Sequence, residues 1–134
     1  MFKNSKVLVT GGAGMIGRQL VSLLLEREAN IYIADINKPV NMPENVNFVH
    51  VDLREFSECK KVCQGMDYVF SLVGIKASPK ACVEQPANII GPMMQFNTNM
   101  FEAAVLAKVE WFLYTSSVGV YQPAPILRED DVLN

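Results

Sequence analysis

The sequence predicts an α/β fold built on a doubly wound parallel sheet, and three observations carry that prediction. Short β-branched runs alternate with segments of helical periodicity from Lys6 to Ser116, the pattern of strands joined by right-handed helical crossovers. The run Asp67 to Val73 is almost continuously apolar, as in strands buried on both faces of a parallel sheet. A glycine cluster, Gly11, Gly12, Gly14 and Gly17, stands at the first strand-to-helix turn, where such folds bring backbone close to a ligand.

Each element follows in order. Lys6 to Thr10 is a short β-branched strand, and after the glycines Ile16, Leu20, Leu23 and Leu24 recur at helical spacing. Asn30 to Ala34 reads as a second strand closed by Asp35, and Asn37 to Asn45, with prolines and asparagines, as a surface loop. Val46 to Val51 is a third strand, and Glu55 to Cys63 a short helix ended by Gly65. Asp67 to Val73 is a fourth strand, expected to be central. Between Pro79 and Pro92 the prolines and Gly91 are expected to interrupt any regular element. Met93 to Lys108 places Phe96, Met100, Ala103, Ala104 and Ala107 on one helical face, and Met93, Met94 and Met100 are expected as core filler. Glu110 to Ser116 is a fifth strand. Val118 to Asn134 has no periodicity and reads as loop, with Glu129, Asp130 and Asp131 as a solvated charge run. One domain, 1–134, accounts for every element.

Composition excludes several classes. The 134 residues fit one compact domain, and 50% apolar with 19% charged residues is a globular balance. A net charge of −2 gives no footprint for nucleic acid or an anionic membrane surface. No apolar run approaches the roughly 18 residues of a membrane span, and the N-terminus lacks a signal-peptide pattern; the cytoplasm is the expected location. Cys59, Cys63 and Cys82 lack metal-ligand spacing. They read as reduced thiols, with Cys59 and Cys63 as packing residues on one helix face, and no metal is expected.

The chemistry is concentrated where strands end. Glycines at the first turn permit backbone angles closed to other residues and let a pyrophosphate approach the main chain. The following helix then offers free N–H groups and a positive dipole end to phosphates. Gly11, Gly14, Met15, Ile16 and Gly17 are therefore candidate cofactor-binding residues. Asp35, about twenty residues further on, can accept hydrogen bonds from adenosine ribose hydroxyls. Its charge repels a 2′-phosphate and favours NAD over NADP, although Arg18 and Lys38 stand near enough in sequence to accommodate one.

The sequence resembles the extended short-chain dehydrogenases that epimerise, dehydrate or reduce nucleotide-linked sugars. The likeness runs from Val7 to about Glu129 and rests on four motifs in order. TGGAGMIG, from Thr10 to Gly17, is similar to that family's TGxxGxxG; Asp52-Leu53 is similar to the acidic pair that contacts adenine. Ser71 to Lys76 resembles the segment lining the cofactor, which implies roles for Leu72, Val73, Gly74 and Lys76. Thr115 to Tyr121 resembles the SSxxVYG stretch, which implies that Ser117 is the active-site hydroxyl, while Tyr121 matches a tyrosine that is not catalytic. The resemblance implies a Rossmann-like sheet truncated after about five strands, NAD as cofactor, a nucleotide-sugar substrate in the full-length enzyme, and homodimerisation through helices including the one before the fifth strand.

Departures from the pattern qualify the activity. The family often has histidine at the place of Ser71, and usually an asparagine near Pro92 or Met93; Asn97 and Asn99 lie further along and receive no role. The family's catalytic tyrosine and lysine form a YxxxK motif, and none occurs here: Tyr32, Tyr68, Tyr114 and Tyr121 are followed four residues later by Ile36, Leu72, Val118 and Pro125. The resemblance therefore implies the cofactor-binding part of a hydride-transferring epimerase, dehydratase or reductase, cut before its catalytic tyrosine. The alternatives are a non-catalytic NAD(P)(H)-binding or sensing module, and an inactive fragment whose uncovered apolar surface favours association.

Overall fold

The computed structural model describes residues 1–117, 120–121 and 124–129. Five strands, β1 (Lys6–Thr10), β2 (Asn30–Asp35), β3 (Asn47–His50), β4 (Tyr68–Ser71) and β5 (Trp111–Tyr114), form one sheet in the order β3-β2-β1-β4-β5. Every pairing is parallel, as alternation of strand and helix demands. The chain moves outward from β1 through β2 to β3, then crosses to the other side of β1 for β4. That reversal creates a crevice at the carboxyl ends of β1 and β4. β1 is the middle strand, and β4 is interior, flanked by β1 and β5.

Alternation along β1 builds two cores. Val7 and Val9 face α1 (Met15–Glu26), joining Val21, Leu24, Ile31 and Ile33; Leu8 faces α2 (Phe56–Cys63) and α4 (Pro86–Leu106), joining Cys59, Val62, Cys63, Phe96, Met100, Ala103 and Ala104. Because successive strand side chains point to opposite faces, a sheet covered on both sides needs apolar residues at every position. The buried run Val7 to Val9 meets that requirement.

The helices depart from the sequence expectation in three places. Within α1 the residues turned to the sheet are Gly17, Val21 and Leu24, while Ile16 is exposed and Leu23 is 55% exposed. The stripe lies one position C-terminal to the expected one at two of its four places. The stretch Pro79 to Pro92, expected to be irregular, contains α3 (Pro79–Glu84) and the first turns of α4. Pro79 and Pro86 stand at helix starts, where a missing N–H costs nothing and the fixed φ favours the helix. Ser78 caps α3, its hydroxyl accepting the Ala81 N–H at 3.2 Å. Pro92 does lie inside α4, depriving the Asn88 carbonyl of its helical donor at a typical cost of about 3 kcal/mol. Burial of Phe96, Met100, Ala103 and Ala104 on the following turns offsets it. Finally, Met100 is fully buried and Met93 packs on the core, but Met94 points to solvent, 63% exposed.

The strands β3, β4 and β5 are each shorter than expected, by residues whose side chains still flank them: Val46 and Val51 beside β3 are buried. β5 is an edge strand whose Trp111, Leu113 and Tyr114 are exposed. Phe101 of α4 lies over its Phe112 and Tyr114 rings, at centroid distances of 4.8 and 5.5 Å. Cys59 and Cys63 are buried packing residues, as expected; Cys82 is exposed. No described helix is long and apolar enough to cross a membrane. Of the motif and charge run read at the C-terminal end, Val118, Gly119, Asp130 and Asp131 lie outside the described residues.

Candidate cofactor site

A cleft of about 350 Å³ opens at the carboxyl ends of the strands. Its lining comes from four segments: Ala34, Asp35 and Ile36 ending β2; Val51 to Arg54 after β3; Val73 to Ile75 after β4; and Asn88, Pro92 and Phe96 of α4. This is the place where open α/β sheets receive ligands, and the volume falls in the range of small-molecule sites.

The glycine turn closes one end by steric necessity. Gly11 has φ +68, and a Cβ there would stand 2.9 Å from the Val73 backbone N and Cα. Only glycine combines that left-handed angle with so close an approach. At Gly17 a Cβ would collide with the Gly11 carbonyl oxygen and lie 2.6 Å from Gly12 Cα, so glycine there lets α1 start directly against the turn. Gly14 occupies the N-cap and supplies no side-chain cap. The first-turn N–H groups of α1, at Met15, Ile16 and Gly17, thus lack an intrahelical acceptor and present a positive dipole end. Both Met15 and Ile16 are exposed.

Two carboxylates mark the far wall. Asp35 Oδ2 accepts the Ala13 N–H at 3.2 Å, and its Oδ1 accepts the Asn37 N–H at 2.9 Å. Asp52 is held by Arg54: Oδ1 accepts the Arg54 backbone N–H at 3.0 Å, Nε lies 3.0 Å from both oxygens, and Nη2 donates to Oδ2. Hydrogen bonding from the Arg54 side chain, ahead of its backbone N–H, pulls the Asp52 carboxyl below its ordinary pKa and outweighs partial desolvation. The Arg54 carbonyl is fixed in turn by Asn99 Nδ2 at 2.8 Å and Gln95 Nε2 at 3.1 Å; Asn99 also donates to the Leu53 carbonyl at 3.2 Å.

Of the residues named from sequence, Asp35, Asp52, Leu53, Val73 and Gly74 line this cleft together, and Gly11 abuts it through Val73. Leu72 is not part of the lining; it packs on the α1 side of the sheet, and its N–H donates to the Thr10 carbonyl at 3.2 Å. Lys76 is exposed and outside the lining. Ser117 is exposed beyond β5, its carbonyl accepting the Val120 N–H at 3.2 Å. Sequence reasoning missed Arg54, Asn88, Pro92 and Phe96. Arg54 carried no local signal, since contacts from Gln95 and Asn99 of α4 hold its carbonyl. The α4 residues became visible only with the helix start at Pro86. Asn97, which received no role, has its Oδ1 buried without a partner, while its Nδ2 lies 3.5 Å from Tyr114 Oη. Among the described residues no cluster suits a metal ion.

The profile of the NAD dependent epimerase/dehydratase family matches residues 7–134. The chain belongs to that family. Short-chain dehydrogenase/reductase family 42E member 1 of Xenopus laevis is 29% identical over 126 residues, which cover 93% of this chain and 32% of that protein. The chain thus spans about a third of the length of this relative. Among solved structures, an epimerase from Methanothermobacter thermautotrophicus superposes with a TM-score of 0.83 at 29% identity, over 97% of this chain and 41% of the other. UDP-glucose 4-epimerase of Thermus thermophilus, in complex with NAD, gives 0.78 at 28% identity, over 94% and 43%. The expected Rossmann-like architecture is the observed one.

Proposed function

We propose that this chain is the NAD-binding part of a nucleotide-sugar epimerase, dehydratase or reductase. The observation that carries the reading is the junction of Gly11, whose left-handed turn rests on the Val73 backbone, with the cleft that Asp35 and Asp52 border. Residues that would meet a ribose and a base line it, and the turn that would meet a pyrophosphate abuts it through Val73. The uncapped N-terminus of α1 suits the pyrophosphate. Asp35 suits vicinal ribose hydroxyls as an acceptor, and as a charge it disfavours a 2′-phosphate, so NAD is preferred to NADP. Asp52 and the Leu53 backbone suit the edge of the adenine ring. When bound, the nicotinamide supplies hydride acceptance or donation at a sugar carbon. Ser117 would hydrogen-bond the sugar oxygen undergoing oxidation or reduction; Leu72 and Lys76 would approach the nicotinamide half.

A second reading is a module that binds or senses the dinucleotide without turnover; the 134 residues hold no tyrosine–lysine pair of the YxxxK type. Dimerisation of the chain belongs to the same proposal. Calorimetric titration with NAD and NADP tests the reading. Saturable binding with NAD preferred is expected, with a melting shift equivalent to about 2.7 kcal/mol at a hundredfold excess over Kd; no binding at millimolar NAD rejects it. Added nucleotide sugar with NAD then separates the two readings, since only the first expects the sugar to be converted to product once a YxxxK segment is supplied.

A further inference from the structure

Arg18 and Lys38 are the cations that sequence spacing brings toward Asp35, but the structure sets a different side chain beside that carboxylate. Arg18 lines a separate cavity of about 190 Å³ between α1 and the loop from Pro39 to Pro43. The neighbour of Asp35 within the sheet is His50, the only histidine of the chain, and the two form the last pair of β2 with β3. Adjacent strands lie about 4.8 Å apart, and side chains paired in register share a face. Asp35 and His50 follow Ile33 and Phe48 by two positions, so both belong to the α1 side of the sheet. Just beyond them the Val51 N–H donates to the Asp35 carbonyl at 3.1 Å, which ties the two strand ends together.

The flanks of Asp35 differ. Its Oδ2 is taken by the Ala13 N–H from the β1 side, and its Oδ1 accepts the Asn37 N–H. On the β3 side stands the His50 ring, exposed, with no hydrogen bond or ion pair among the described residues. An imidazole in either charge state keeps at least one N–H donor. A phosphate set against a carboxylate needs such a donor, and hydrogen bonds to ionised oxygens are the strong ones.

We propose that His50 is a specificity-determining residue of the ribose corner: its ring N–H donates to a 2′-phosphate on a ribose held at Asp35, so the cleft admits NADP as a weaker second cofactor. This rests on the cleft being a dinucleotide site. Asp35 repels the phosphate and His50 returns part of that loss, which keeps NAD ahead of NADP while narrowing the gap. NAD carries a hydroxyl at the same place, already served by Asp35, and draws little from the imidazole.

Calorimetric titration with NAD and NADP tests the assignment on the purified chain and its H50A and R18A variants. His50 is exposed on the outer strand β3, so H50A should leave the fold intact, as thermal melting checks. In H50A the affinity for NADP should fall about tenfold while that for NAD stays within about twofold; R18A should leave both unchanged. A second readout follows from the single histidine: its ring-proton NMR signals should shift on addition of NADP and far less on addition of NAD. The assignment is overturned, with the cofactor reading intact, if H50A weakens both dinucleotides equally or leaves NADP unaffected. The same holds if R18A carries the loss, if NADP leaves the ring signals unmoved, or if the chain binds NAD but no NADP at millimolar concentration. A chain that binds neither dinucleotide overturns the cofactor reading, and the role of His50 with it.

Discussion

The backbone N–H of Ala13 donates to Asp35 Oδ2 at 3.2 Å, tying the glycine turn after β1 to the carboxyl end of β2. One carboxylate therefore shapes the turn and borders the cleft. Replacing Asp35 by alanine should loosen the turn and weaken NAD binding about tenfold or more. D35N keeps an acceptor for Ala13 and removes the charge, so it should narrow the preference for NAD over NADP more than it lowers overall affinity. Titration of both variants with both dinucleotides measures this; an unchanged NAD/NADP ratio in D35N would show that the charge does not discriminate.

Two glycines with nearly the same backbone angle separate strain from crowding. Gly11 has φ +68 with the Val73 backbone 2.9 Å from a would-be Cβ, whereas Gly65 has φ +71 and open space. G65A should cost about 1 kcal/mol, from the backbone angle alone. G11A should cost more, about 2–4 kcal/mol, and displace Val73 in the cleft wall. Denaturant unfolding of the pair gives the difference, and equal losses would contradict the close approach.

Met100 is fully buried between α4 and the sheet, in the core that Cys59, Val62 and Cys63 of α2 share. M100A should destabilise by about 2–5 kcal/mol, a large share of a domain's typical 5–15 kcal/mol. M94A, at a position that sequence grouped with it, should change stability by less than about 0.5 kcal/mol. Thermal melting of the two variants checks the assignment of faces.

Burial pushes the Cys59 thiol from 9.0 up to about 11 and Cys63 to about 12. A raised folded-state pKa means that the stabilisation is fully present below the ordinary thiol value and is lost as pH rises through the folded value. Stability should therefore decline between about pH 9 and pH 12, and C59A should flatten that decline. Asp52 has the opposite sign. Its carboxyl is lowered from 3.8 by Arg54, so its contribution is present above that value and is lost as pH falls through the folded one. Acid unfolding of R54M should begin at a higher pH. At neutral pH a thiol reagent should modify exposed Cys82 rapidly and the other two only on unfolding.

Much of this arrangement is legible in the sequence because steric demand leaves few alternatives. The glycines at the first turn, the carboxylate ending β2 and the apolar run Val7 to Val9 of β1 each announce a backbone path that other residues would obstruct. The prolines misled for a physical reason. Their missing N–H breaks a helix only in its interior, whereas Pro79 and Pro86 occupy first turns, where the same lack is harmless. Arg54 was hidden because its placement depends on Gln95 and Asn99, which lie 41 and 45 residues away in sequence. Local patterns carry no trace of such a contact. Leu23 and Met94 show the remaining difficulty: a helical stripe read from spacing can be rotated by one position while most of its members stay correct.

Pro92 gives α4 an uneven mechanical character. The helix is continuous in shape, yet at Asn88 one rung of its hydrogen-bond ladder is missing, and every residue of α4 that is fully buried lies beyond that point. The turns from Pro86 to Gly91 can therefore open locally at low free energy, while amides near Met100 exchange with solvent only when the domain unfolds globally. Asn88 and Pro92 belong to the cleft wall, so the loosely held end is the one a ligand would touch. Occupancy of the cleft should register as slowed hydrogen exchange at Ile89 and Ile90, a change in dynamics with almost no displacement of the fold.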